Sequence, residues 1–258
     1  MILSVAQLQV FFFIIARIGG VCIQAPILSS RSFAAPAKIA FCVWLALLLW
    51  FVTPVTGSMP TSVLGFLLIL VAEVVFGYAI GFIANILFIA LQAAGELIDA
   101  QMGLSVASAL DPIFGAVISV IGRLVFFISL IIFLEFDGHH LILAAFHQSF
   151  TALPAGQVAN FTSYNIVAQL SGLGGALWLT AVKLAIPAIL LIFLADFTFG
   201  IVSRVAPQVN VFMLGFQVKP LLGLFAISLT LPYLLRYISN MVGTIGEEIL
   251  KFLMIVSH

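Results

Sequence analysis

Residues 196–220, "DFTFGIVSRVAPQVNVFMLGFQVKP", set charged and amide side chains close together between stretches apolar enough to sit in lipid. They place one carboxylate (Asp196), two cations (Arg204, Lys219) and the amides Gln208 and Asn210, among others, in an aromatic-rich apolar background. Such groups can pair charges, cap helix ends or contact a neighbour. They contain no nucleophile beside a base. Read locally, "RVAPQVN" ends a helix at Arg204–Ala206 and turns at Pro207, because proline cannot continue the backbone ladder and restricts the residue before it. Gln208 and Asn210 then either satisfy the freed backbone groups or reach across to a neighbouring helix or subunit.

A second candidate is "FDGHH", Phe136 to His140. Adjacent helical histidines point about 100° apart and rarely hold one metal without further ligands. His147 follows, but no cysteine or paired acid completes a set. The better reading is an Asp137-Gly138 turn ending a span, with His139 and His140 starting the next helix. No metal and no cofactor is expected. Arg17, Glu73, Lys183 and Asp196 fall within or near the ends of apolar segments, where a charge usually faces a partner or a cavity. For Arg17 and Lys183, snorkelling or an interhelical pair is expected. Glu73 precedes Gly77 and Gly81, a small-xxx-small spacing that favours close helix approach. The chain shows no HExxH, GxSxG or phosphate-loop pattern, and nothing in it reads as an enzyme.

The elements that must position these groups are membrane helices. Hydrophobic residues make up 64% of the 258 and charged residues 7%, against about 25% charged in a soluble domain. Apolar segments fall at roughly 5–24, 39–56, 62–91, 116–136, 172–202 and 211–235. A last stretch, 237–256, carries Glu247, Glu248 and Lys251. Period-two alternation is missing, which argues against a membrane barrel. The expected fold is therefore all-α: a polytopic helical membrane protein with about six apolar segments plus a C-terminal helix, several of them broken or paired as hairpins.

The N-terminus lacks a basic n-region before its apolar run and reads as a retained span. Cys22 and Cys42 sit in apolar runs and read as buried small hydrophobes rather than a disulfide or ligand pair. Zero net charge and the lack of a basic block argue against nucleic acid. Arg31, Lys38, Arg204 and Lys219 flank the first and fifth connections, which places connections one, three and five in the cytoplasm and leaves the N-terminus outside. If 237–256 returns as a hairpin partner, the C-terminus lies inside.

The third connection, "LQAAGELIDAQMGLSVASALDPIFGAVIS", is acidic and rich in small residues. At 3.6 residues per turn, Gln92, Glu96, Asp99 and Gly103 share one helix face. Helical order is expected to fail near Asp111-Pro112. Irregular backbone at membrane depth survives only inside protein or along a watery cavity, so this segment reads as a loop that lines or blocks a passage.

Three ordered motifs carry a resemblance across nearly the whole chain. They are "GELIDAQMGLSVASALDP" (Gly95 to Pro112), "FDGHH", and Asp196…Gly200…Arg204-x-Ala206-Pro207-Gln208-x-Asn210-Val211-Phe212…Gly215…Lys219-Pro220. Together they resemble the flagellar biosynthetic protein FliR family, which includes the related subunits of type III secretion systems. The resemblance implies a subunit of a membrane export gate in the bacterial inner membrane, at the flagellar basal body. It implies one copy of this chain assembled with several P and Q subunits, a B-type switch protein nearby, and unfolded flagellar proteins as substrates. Residues 1–170 would form a P-subunit-like part, and 171–258 a Q-subunit-like helical hairpin. The plug loop would lie at about 102–116: Met102, Gly103, Leu104, Ser105, Val106, Ala107, Ser108, Asp111, Pro112 and Phe114. Asp196, Arg204, Pro207, Gln208, Asn210 and Lys219 would make inter-subunit contacts. Members of the family also sit raised out of the bilayer once assembled. Rival readings are the equivalent subunit of a virulence secretion system, and a small-molecule transporter with a site near Glu73 or Asp196. An intramembrane enzyme is a further rival, which the missing catalytic residues disfavour.

Overall fold

The computed structural model describes residues 4–26, 34–51, 53, 59–104, 119–157 and 164–256. Among these every regular element is a helix: α1 (Val5–Gln24), α2 (Ala35–Trp50), α3 (Val63–Met102), α4 (Val120–Glu135), α5 (Gly138–Ala152), α6 (Tyr164–Val205) and α7 (Val211–Val256). The caps follow local sequence. Ser4 and Gln7 form a reciprocal capping box at α1. Pro36 occupies the first turn of α2, where its missing N–H costs nothing. Ser119 caps α4, accepting a hydrogen bond from Gly122 N.

Helices α1, α3, α6 and α7 are long and apolar enough to cross a membrane, and α2 is a shorter apolar helix. With 40, 42 and 46 residues, α3, α6 and α7 far exceed a single crossing, since about 20 residues span the hydrocarbon core. The chain is a polytopic helical membrane protein.

Hydropathy alone misplaced three boundaries. It ends the third segment at 91, whereas α3 continues to Met102. Gln92 and Glu96 lower the hydropathy of that stretch but are good helix formers, and they bond each other one turn apart at 3.0 Å. It begins the fifth segment at 172, eight residues inside α6. It also separates 211–235 from 237–256, which makes no separate return. α7 runs unbroken through Arg236 to Val256. Arg236 is exposed, so the helix accommodates its charge without ending. Past it, Val242, Ile245, Ile249, Phe252 and Leu253 are buried on one helical face. Pro187 in α6 and Pro220 and Pro232 in α7 lie within continuous helix. Arg31 and the expected break at Asp111-Pro112 lie outside the described residues.

The helices contribute to two compact units. The first comprises Met1–Leu87, Asp137–Leu173 and Val242–His258. Its core includes Phe13 and Ile14 of α1, Phe76 and Ile80 of α3, Phe146 and Phe150 of α5, and Phe252 of α7. Phe76 stacks on Phe252 with centroids 5.7 Å apart. α1 meets α3 at near-contact distance: a Cβ on Gly77 would lie 2.0 Å from Arg17 O, and one on Gly20 would lie 2.2 Å from Val74 O. The close packing expected from Gly77 and Gly81 is realised there. The second unit comprises Phe88–Phe136 and Gly174–Met241. In it Phe88 lies edge-on to Phe133 at 5.3 Å, and Gly95 of α3 faces Gly122 of α4 with room for no side chain.

Candidate functional site

The site begins where α3 ends, in the second unit. Asp99, 3% exposed, accepts hydrogen bonds from the Ser119 hydroxyl and from Ile121 N, the latter at 3.1 Å. Ser119 and Ile121 lie just beyond residues 105–118, and Asp99 lies just before them. One carboxylate thus joins the two flanks of that segment. The Gly95–Gly122 approach brings the α3 and α4 backbones together beside this clasp. Asp99 is buried while Gln92 and Glu96 on the same stripe are exposed.

The last turn of α3 is anchored as well. Met102 is fully buried, and its sulfur occupies the space a Cβ on Gly223 of α7 would need. Gly103 takes φ +79°, the left-handed conformation that ends helices and favours glycine, and faces the Phe216 ring. Leu104 is half-buried. Of the expected plug residues, Ser105, Val106, Ala107, Ser108, Asp111, Pro112 and Phe114 lie outside the described residues.

Beside this turn is a cavity of about 540 Å³ between the end of α3 and the α6–α7 hairpin. Its wall includes Gln101, Met102, Gly103, Asp196, Gly200, Phe212, Gly215, Phe216 and Lys219. Lys219 Nζ lies 2.6 Å from Asp196 Oδ1, with the side chains 24% and 43% exposed. This ion pair crosses from α6 to α7. Six members of the third sequence motif (Asp196, Gly200, Val211, Phe212, Gly215, Lys219) therefore line one cavity, together with Gln101, Met102 and Gly103 of the first.

The turn joining α6 to α7 resolves part of the sequence ambiguity. Asn210 Oδ1 accepts from Met213 N at 3.2 Å, so Asn210 serves as the N-cap of α7. Val209 N closes the turn on Ala206 O at 3.0 Å. Arg204, Pro207 and Gln208 are exposed. Lys183 is also exposed, on α6.

In the first unit, Arg17 and Glu73 are paired. Arg17 Nε lies 2.6 Å from Glu73 Oε2. The guanidinium also donates to the carbonyls of Ser149 and Leu153 at 3.0 and 2.9 Å and sits over the rings of Phe76 and Phe150. Glu73 Oε1 accepts from Gly156 N at 2.9 Å. The sequence carried a signal for this pair, namely one acid and one base each set in an apolar helix. It carried none for the partners after α5, nor for Ser119 as partner to Asp99.

At "FDGHH" the helix α5 starts as expected. Gly138 is buried. Asp137 adopts φ 54° and does not cap α5 with its side chain. His140 Nδ1 lies 3.2 Å from Asp137 Oδ1, and donor atoms of Asp137, His139 and His140 all fall within 4.8 Å of one another. The two imidazoles lie against each other, with centroids 4.1 Å apart.

The profile of the bacterial export proteins, family 1, matches residues 8–245. The flagellar biosynthetic protein FliR of Pectobacterium carotovorum subsp. carotovorum is 32% identical over 222 residues, covering 86% of this chain and 84% of that protein. FliR of Bacillus subtilis strain 168 is 30% identical over 210 residues, 81% of each chain. The surface presentation of antigens protein SpaR of Shigella flexneri is 30% identical over 155 residues, 60% of this chain and 59% of its own.

Proposed function

We propose a gating role on this premise: the chain belongs to the bacterial export proteins, family 1, and is a subunit of a flagellar or type III protein export apparatus. It sits in the bacterial inner membrane at the flagellar basal body. There one copy assembles with several P and Q subunits into a closed channel for unfolded flagellar proteins, and a B-type switch protein binds nearby. Residues 1–170 form the P-like part, and 171–258 the Q-like hairpin. The stretch from Met102 to Ala116 is the plug.

The observation that carries this reading is the Asp99 clasp. A carboxylate buried at the base of a segment, joined to the residues at its far side, sets where that segment leaves and re-enters the helical scaffold. The anchoring of Met102 against Gly223 fixes the near end. A segment whose two ends are fixed in this way is suited to lie across a passage.

The exposed apolar faces of α6 and α7 support assembly. Phe193, Leu194, Phe197, Phe212 and Leu221 are each more than half exposed. Apolar surface of this extent meets lipid or sister helices. The exposed turn at Pro207 and Gln208 supplies a polar inter-subunit contact at the mouth of the pore. The flagellar reading is favoured over the virulence one by coverage: FliR relatives align over 81–93% of this chain, SpaR over 60%.

Native mass spectrometry of the tagged chain, co-produced with its neighbouring membrane subunits, tests the reading. One copy among several P-type and Q-type subunits is expected. A lone monomer or homodimer, with those subunits present, returns the function to a small-molecule transporter.

A further inference from the structure

We propose that Cys22 and Cys42 form a redox-controlled tether between α1 and α2, a modification site for a disulfide-donating oxidant. Their sulfurs lie 3.0 Å apart, and both are free thiols. That separation is inside van der Waals contact for two sulfurs and needs only a small closure to reach bonding distance, about 2.0 Å. The surroundings favour an intrachain bond. Cys22 is 8% exposed and packed within α1, whereas Cys42 is half-buried and more accessible. The two helices are already joined elsewhere: Trp50 Nε1 donates to Gln7 O at 3.0 Å, and the Trp50 ring lies 5.5 Å from that of Phe11. Closing the bond therefore links surfaces that are in contact in the reduced protein.

The order of events follows from access. The Cys42 thiolate attacks one sulfur of the donor disulfide, forming a mixed disulfide and releasing the first thiol of the donor. The Cys22 thiolate then attacks the Cys42 sulfur and releases the second. The protein loses two protons and two electrons, and the donor disulfide is reduced to two thiols. Reversal by a dithiol restores both cysteines. Disulfides are rare in the cytosol, where the basic residues place the α1–α2 connection, so the resting state is the dithiol and the bond marks oxidative conditions. The proposal is independent of the export role.

The experiment treats the full chain, in its native complex, with oxidised glutathione, blocks residual thiols with a maleimide and maps cysteine peptides by mass spectrometry. The expected product is a Cys22–Cys42 linked peptide pair lacking two hydrogens. Cys22→Ser should instead trap glutathione on Cys42, and Cys42→Ser should leave Cys22 largely unmodified. Two results overturn the proposal. One is wild-type protein that accumulates glutathione on Cys42 without the linked pair, which means the second sulfur does not reach. The other is wild-type protein whose thiols both remain free under glutathione disulfide and under the smaller oxidant diamide.

Discussion

Arg17 of α1 and Glu73 of α3 form an ion pair of 2.6 Å with both side chains essentially out of solvent, 0% and 1% exposed. The pair has further polar partners. Arg17 reaches two carbonyls at the end of α5, and Glu73 receives Gly156 N. Glycines let the helices approach closely enough for the pair to form: Gly77 lies one helical turn after Glu73, directly against the Arg17 backbone. Charge and packing are therefore one device, which ties α1, α3 and the end of α5 together in the first unit.

Removing one partner leaves the other charge buried alone, which costs about 3–5 kcal/mol. Glu73→Ala and Arg17→Ala should each lower the midpoint of denaturant unfolding in detergent and reduce the amount of protein in the membrane. Arg17→Met combined with Glu73→Leu should recover much of the loss, since a well-packed apolar pair replaces a buried ionic one with little penalty. A double variant no better than either single one would mean that the ion pair with its hydrogen bonds, and not merely the avoidance of a lone buried charge, holds these helices together.

The helix contact gives a steric prediction. A methyl on Gly77 would stand 2.0 Å from a backbone oxygen, whereas one on Gly19 would meet nothing within 4 Å. Overpacking of this kind costs about 1–3 kcal/mol or more. Gly77→Ala should therefore depress protein levels and thermal stability, and Gly19→Ala should leave both unchanged. Equal behaviour of the two variants would refute the close contact.

Much of this architecture was legible in the sequence. Composition shows a helical membrane protein because helices of this hydropathy cannot keep a hydrated surface, and Gly77 and Gly81 announce a tight contact. Boundaries were less legible. Hydropathy tracks lipid compatibility, while helix continuity depends on backbone bonding, which Gln92, Glu96 and Arg236 do not interrupt. Long-range partners were illegible for a further reason. Nothing local in "SVIGR" says that Ser119 answers Asp99 twenty residues earlier, and nothing in the two apolar runs brings Cys22 beside Cys42.

The clasp predicts a leak. Asp99→Ala leaves Ile121 N and the Ser119 hydroxyl without their acceptor, at a cost of about 1–3 kcal/mol for each buried group left unpaired. The flanks of the 105–118 segment then separate more easily. Planar-bilayer recordings of the assembled complex should show raised resting conductance for Asp99→Ala. Asp99→Asn, which keeps an acceptor, should be intermediate. Shortening the chain between Gly103 and Ala109 should leak more strongly. Wild-type conductance in a complex that still assembles would remove the plug role from this segment.

The pair between Asp196 and Lys219 separates stability from function. Both ends are partly exposed, so the pair contributes only about 0–1 kcal/mol to stability. It lies on the cavity wall, bridging α6 and α7 beside the end of α3, and on the proposed gating role it would hold the hairpin at the start of the plug. Asp196→Asn and Lys219→Gln should therefore leave protein levels close to wild type and reduce secretion of flagellar proteins, read as motility and as export into the medium. The exchange Asp196→Lys with Lys219→Asp restores attraction across the same gap and should restore secretion at least in part. Pro207→Ala and a Gln208→Ala, Asn210→Ala pair act elsewhere, at the exposed turn. Their loss should appear as reduced recovery of Q-type subunits with the purified chain, more from Gln208, since Asn210 also caps α7. If the charge exchange fails to rescue while both single variants secrete normally, the ion pair is a surface contact without a part in export.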